Sequence, residues 1–228
     1  GKSVSLETAL RLCELLVSLA VIQRGLEHLT VGERAVFVPQ ILFGALLLSG
    51  ATPLAALVGL WVFGLAQLHR YDGSYNGGAD KMVLLIVTCL AVARAAPSPF
   101  WAEMALAYLG VQLTLSYAVS GWVKLRNRDW RSGQALGDVF AVSAYPVSEA
   151  LRRLSHAPLL MAGASWAVIV FELGFPLALA HAGALVLALG LAGLFHLANA
   201  CLFGLNRFFW AWISAFPALI WLQARLIG

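Results

Sequence analysis

The sequence predicts an all-α fold: a polytopic integral membrane helical bundle of about eight transmembrane helices, in one domain over residues 1–228 with no separate soluble domain. Three observations lead there. Of the 228 residues, 61% are hydrophobic and 11% are charged, whereas soluble domains carry roughly 25% charged residues. A water-soluble fold of this size cannot hide that much apolar side chain, so its solvent is lipid. The apolar residues gather in runs of about 20, the length at which a helix crosses the hydrocarbon core. Short connections rich in Gly, Pro and charge break these runs, which is how a chain reverses between helices. The net charge of +4 is small. In this setting Lys and Arg mark sidedness, so the expected surroundings are the lipid bilayer and no nucleic-acid partner is expected.

The spans are predicted at roughly 5–24, 35–50, 53–69, 81–96, 100–123, 158–180, 183–204 and 208–226. The first is the weakest, because Glu7, Arg11 and Glu14 interrupt it, and it is a candidate to lie partly in the interface. It also lacks the basic-then-apolar layout of a cleavable signal peptide. The second and third are short and meet at Ser49-Gly50-Ala51-Thr52-Pro53, a turn with Pro at the start of the next helix. Before the fourth lies the glycine-rich "HRYDGSYNGGADK", residues 69–81. Asp72-Gly73 and Asn76-Gly77-Gly78 suit positive-φ turns, and Asp80 is placed to cap the following helix. The loop reads either as an ordinary tight turn or as a rigid loop whose N–H groups meet an anionic or carbonyl group. Glu103 sits near the start of the fifth span, where the helix dipole favours a carboxylate. Between the fifth and sixth spans, Leu151, Arg152, Arg153, Leu154 and His156 form an amphipathic stretch suited to lipid headgroups. In the sixth, Pro176 frees the carbonyl of residue 172 from its helical bond. In the seventh, Gly190 and Gly193 suit close helix contact, and His196 and Asn199 share a face.

Sidedness follows from the fifteen basic residues. With eight spans, Arg24, Arg34, Arg70, Lys81, Lys124, Arg126, Arg128, Arg131, Arg152, Arg153 and Arg207 fall on one side, Lys2, Arg94 and Arg225 on the other, and Arg11 inside the first helix. The rich side is the cytoplasm, which places the polar loops there and both termini opposite. Basic residues kept for function bias the count the same way. Cys13, Cys89 and Cys201 lie in apolar stretches without CxxC spacing and read as buried small residues. No His/Cys/carboxylate cluster has ligand spacing, so no metal is expected.

Ionisable and amide groups inside spans are costly and face an interior; here they are Gln67, His69, Glu103, Gln112, Glu172, His196 and Asn199. Glu172 is the only acid of the sixth span. It reads as an interhelical partner or as a cavity-lining acid that holds a base or moves a proton. Lys124 follows the apolar run ending "SGWV", and reads as an interface anchor or as a base at the mouth of a site.

Four stretches carry a family resemblance: "YNGGADKM", "YAVSGWVKLRNRDWRSGQAL", Glu172 with Pro176, and "FHLANACLFGLNRFFWAWISAF". In order and spacing the chain resembles the horizontally transferred transmembrane (HTTM) domain, the membrane module of the vitamin K-dependent gamma-carboxylase and of many bacterial proteins. The resemblance implies a bacterial inner-membrane protein using a quinone or vitamin K-like hydroquinone. It implies that Lys124 is the base that deprotonates the hydroquinone, in a carboxylase/epoxidase-like enzyme. Desolvation disfavours an ammonium, and a neutral amine is a competent general base. The expected substrate- and cofactor-binding residues are Asn76, Gly77, Asp80, Tyr117, Trp130, Glu172, His196 and Asn199. One departure is Asn76-Gly77-Gly78, where the carboxylase carries a catalytic histidine. The alternative expectation is a non-catalytic scaffold, assembly or accessory subunit with a protein partner in a larger membrane complex.

Overall fold

The computed structural model describes residues 4–30, 34–70, 77–143 and 146–227. Every regular element among them is helical. The helices are α1 Leu6–Leu29, α2 Arg34–Ser49, α3 Pro53–Arg70, α4 Gly77–Ala95, α5 Pro99–Arg126, α6 Arg128–Ser132, α7 Gln134–Val142, α8 Pro146–Leu151, α9 Pro158–Gly174, α10 Ala182–Phe203 and α11 Asn206–Ile227. Two 3-10 segments, Arg152–His156 and Phe175–Ala180, lead into and out of α9. Each predicted apolar run is therefore a helix. Among the described residues four stretches are long and apolar enough to cross a membrane: Pro99–Arg126, Pro158–Ala180, Ala182–Phe203 and Asn206–Ile227. The apolar α2 is shorter, at 16 residues. The chain forms two compact units, Gly1–Val111 with Arg207–Gly228, and Gln112–Asn206.

In the first unit α1 buries Leu10, Cys13, Glu14, Val17, Val21 and Arg24, a stripe at the 3.6-residue period. Of the charges that weaken α1 as a span on paper, Glu14 is turned into this stripe, Arg11 is half-buried and Glu7 is exposed, and all three are paired. Glu14 is fully buried and accepts from Arg94 Nε of α4 at 2.5 Å and from Arg11 Nη1 at 3.3 Å. Arg94 Nη1 also donates to both oxygens of Glu7, at 2.8 and 2.9 Å. Arg11 also donates to Leu47 O and Leu48 O, at 2.8 and 2.5 Å, carbonyls in the last turn of α2, where a helix lacks partners of its own. The α2–α3 turn is the predicted one: Gly50 has φ +76° and Pro53 opens α3. Glu103 departs from its expected role, since its partner is Arg225 of α11 at 2.6 Å and not the α5 dipole alone.

In the second unit, Asn127 caps α6 by accepting from Asp129 N–H at 2.8 Å, and Gly133 ends it at φ +82°. Leu151 and Leu154 pack on Phe140, Met161 and Phe203. The stretch is amphipathic as expected: its leucines turn to protein, and Arg152, Arg153 and His156 are exposed. Past Gly174 the helix tightens to 3-10 winding through Pro176, because proline has no N–H to give the carbonyl four residues back. The close-contact expectation for Gly190 and Gly193 is also corrected, since a Cβ at either meets nothing within 4 Å. Cys13 and Cys89 are buried as expected, but Cys201 is exposed on α10.

Candidate functional site

The second unit gathers most of the expected residues along one face of α5. Tyr117, Gly121 and Lys124 stand at i, i+4 and i+7, which a helix aligns. Gly121 sets the approach of α9: a Cβ there would lie 2.8 Å from Leu173 N and 2.9 Å from Glu172 Cβ. At that separation Lys124 Nζ donates to Glu172 at 2.7 Å (Oε2) and 2.9 Å (Oε1). Ser120, one turn before Lys124, closes the triangle: its Oγ accepts from Nζ at 2.5 Å and donates to Glu172 Oε1 at 3.2 Å. The side chains of Lys124 and Glu172 are 15% and 4% exposed, so the charges are held largely out of solvent.

Trp130 lies over the amine, its ring centroid 5.1 Å from Nζ, within cation–π range. The fold fixes it from behind. Ser165 Oγ donates to Trp130 O, and Trp166 Nε1 donates to Arg131 O at 3.0 Å, so α9 side chains satisfy carbonyls that the short α6 leaves open. A side chain at Gly133 would collide with the α9 backbone at Met161 and Ala162. The Trp-x-x-Gly spacing thus places a ring over the lysine and a bare backbone against α9. Arg131 turns away from Lys124 to donate to Leu125 O at 2.7 Å.

Farther from the end of α5, Tyr117 OH and His196 Nε2 of α10 are 2.9 Å apart, and both residues are buried. Phe175 stacks on Tyr117 at 4.2 Å between centroids, while Phe171 and Phe195 stand edge-on to Tyr117 and His196 at 6.0 and 5.2 Å. Asn199 lies one turn past His196, half-buried, and its backbone carbonyl accepts from Leu205 N–H at 3.2 Å. A separate opening of about 240 Å³ in this unit lies between α7 and the Arg152–His156 turn, lined by Gln134, Asp138, Ser155 and His156 among others.

The first unit holds another buried polar group. Asp80 lies within the first turn of α4, which starts at Gly77, and its carboxylate is not free to cap that helix. It takes Arg24 Nη1 at 3.0 Å, with Arg207 Nη1 at 3.8 Å. Arg24 also donates to Gln40 Oε1, and Gln40 Nε2 donates to Gln67 Oε1 at 3.2 Å. Arg207 Nη2 reaches the ring nitrogens of His28 at 3.0 and 3.2 Å. Asp80 is therefore an ion-pair partner, which corrects the capping expectation. Gly77 is half-buried at the start of α4, and Asn76 lies outside the described residues.

Sequence reasoning missed Ser120, Arg24, Gln40 and Arg207. Ser120 was legible as the i−4 neighbour of Lys124. Arg24 and Arg207 were counted as sidedness markers, and nothing local separates a buried arginine from one at an interface. Among the described residues no group of three or more His, Cys, Asp or Glu side chains is placed to hold a metal.

With every regular element among the described residues helical, and four stretches among them fit to cross a bilayer, the chain is an integral membrane protein. A family model of the HTTM domain matches residues 81–223. The match covers more than half of the chain, and the chain belongs to the HTTM domain family. No curated protein and no solved structure matches it.

Proposed function

We propose that this HTTM protein binds a lipid-soluble molecule with an ionisable hydroxyl, of the quinone–hydroquinone class, and handles its proton with Lys124 and Glu172. The observation that carries this reading is the closed Lys124–Ser120–Glu172 triangle beneath Trp130, at 2.5–3.2 Å, at the end of a helix fit to span the membrane. The residues suit such a molecule. Tyr117, Phe171, Phe175 and Phe195 offer aromatic faces for its ring, and the amine and carboxylate offer a donor and an acceptor to its hydroxyl. A hydroquinone supplies an ionisable, oxidisable ring when bound. The chain's own contribution is to hold that hydroxyl, to exchange its proton at Nζ or at a Glu172 oxygen, and to keep water away with the Trp130 ring. The pairing redefines the base: Lys124 Nζ donates to Ser120 and to both Glu172 oxygens, so a proton taken from the hydroxyl goes to a Glu172 oxygen while the ammonium stays a donor.

The same reading puts eight spans in a bacterial plasma membrane, with residues 69–81, 124–157 and 204–207 cytoplasmic and both termini opposite. The support is the eleven-to-three distribution of basic residues and the inward pairing of the α1 charges.

A second reading has its own support. Lys124 is engaged by Ser120, Glu172 and Trp130 together, as a clamp joining α5, α6 and α9 requires, and a scaffold or accessory subunit needs no more. Mass spectrometry of small molecules extracted from gently purified protein, beside Lys124→Ala, separates the two. A stoichiometric quinone-class lipid in the wild type that is lost in the variant supports the first reading. No specific ligand in either sample, with a partner protein retained by both, replaces it with the second.

A further inference from the structure

The α5–α9 connection encloses a cavity that the Lys124 group does not use. It holds about 240 Å³, room for about eight waters at about 30 Å³ each. Its walls are α7 and the Arg152–His156 turn, and Phe140, Met161, Leu151 and Leu154 pack together behind them. Its polar lining is mostly acceptors. Gln134 Nε2 donates to Asp138 Oδ1 at 2.6 Å, so the amide keeps its oxygen as an acceptor beside the carboxylate. Ser155 Oγ gives its hydrogen to Arg152 O at 2.6 Å and keeps its lone pairs. Among the described residues no cation pairs with Asp138. The His156 ring lines the same space, and Arg152 and Arg153 are exposed on the same turn.

The depth of the cavity is fixed by the spans on either side. Pro158 opens the spanning stretch Pro158–Ala180 and lines the cavity, and Ser132 lines it just past the end of the span Pro99–Arg126. The cavity therefore stands where two spans leave the hydrocarbon, at the level of lipid headgroups. Leu159 and Leu160, next along α9, are 89% and 50% exposed and give acyl chains an apolar wall.

We propose that this cavity binds a primary ammonium joined to a phosphodiester, supplied as the headgroup of an aminophospholipid. A primary ammonium has three donors and no acceptor, and Asp138, Gln134 Oε1 and Ser155 Oγ answer them. Asp138 also supplies the opposite charge. The phosphodiester falls to His156, with Arg152 and Arg153 beside it. An ethanolamine phosphodiester has about eight heavy atoms, which the volume admits. A trimethylammonium head of the same charge has no N–H to give, and a glycerol head brings no cation to Asp138. The site is separate from Lys124 and Glu172, so it does not depend on the quinone reading.

The test is native mass spectrometry of the purified full chain, titrated with phosphatidylethanolamine, phosphatidylcholine and phosphatidylglycerol of identical acyl chains. Losing hydrogen bonds to a charged group predicts that the wild type retains phosphatidylethanolamine roughly tenfold better than either other lipid. Asp138 is exposed, so Asp138→Asn leaves the fold intact, and it is expected to remove the preference. Asp129, an exposed acid of α6 that does not line the cavity, is the control, and Asp129→Asn is expected to keep it. Equal retention of the three lipids by the wild type overturns the proposal. So does a preference that survives Asp138→Asn, or one that falls equally in Asp129→Asn. Glycerophosphoethanolamine, the same head without chains, separates the sources. Retention of the lipid against an equal concentration of it supports the membrane source, as Leu159 and Leu160 lead one to expect. Displacement overturns that source and assigns the cavity to a soluble amine phosphodiester.

Discussion

At the residue scale the centre of the molecule is one ion pair whose members come from different helices. Lys124 and Glu172 are mostly out of water, so removing one partner leaves the other charged and unpaired in a poor solvent. Glu172→Ala is therefore expected to destabilise the protein by about 3–5 kcal/mol, while the double replacement Lys124→Met with Glu172→Leu is expected to recover most of that loss. Thermal unfolding in detergent checks both, and a double variant as unstable as the single one would remove the ion-pair account. Because the double variant keeps the fold and loses the chemistry, it also separates the proposed function from stability. The glycines beside the pair make a second prediction. Gly121→Ala places a methyl against Leu173 N and Glu172 Cβ, and overpacking of this kind costs about 1–3 kcal/mol. It should also part Lys124 from Glu172, so any ligand carried by the wild type should be lost at a temperature where the variant is still folded.

At the element scale α1 shows how a helix with three charged residues in its first half, Glu7, Arg11 and Glu14, packs against its neighbours. Glu14 lies on the inward stripe and Glu7 at the exposed start of the helix, and Arg94 of α4 answers both. Arg94→Met leaves the fully buried Glu14 without its 2.5 Å partner, and the expected loss is about 3–5 kcal/mol. Protease accessibility of α1 in the variant, against the wild type, checks where the loss falls. The position of α1 in sequence made it the least secure helix, because hydropathy counts charges and ignores which side they face. The α9 ending was more legible: Pro176 announces a broken helical bond, and the structure answers with 3-10 winding over Phe175–Ala180. What Pro176 does not announce is the partner of Glu172, which depends on α5 lying alongside.

For the whole molecule, the prediction concerns sidedness. In a cysteine-free background, Asp129→Cys in the α5–α9 connection is expected to react with a membrane-impermeant maleimide only from the cytoplasmic side. Ser98→Cys between α4 and α5 is expected to react only from the other side. Matching labels at both positions would break the eight-span arrangement. The native cysteines of the unsubstituted protein give a separate prediction. Cys201 is exposed, whereas Cys13 and Cys89 are buried, so an apolar maleimide should modify Cys201 well before the others.

By itself the sequence determined the class of the molecule and the extent of its helices. Apolar runs of helical length leave few alternatives in lipid, where each backbone N–H and C=O must be satisfied within the segment. It also marked the residues around Lys124, because Tyr-x-x-x-Gly-x-x-Lys falls on one helix face by period alone. Only the tertiary structure decided what those residues meet. Glu172 lies 48 residues from Lys124, and Asp80 lies 56 from Arg24. A helical pattern carries information over one or two turns, whereas these pairs form where separate helices pack. That is why Lys124 and Glu172 were read singly from the chain and are one charge pair in the fold, and why Arg24 and Arg207, read as surface charges, hold Asp80 inside.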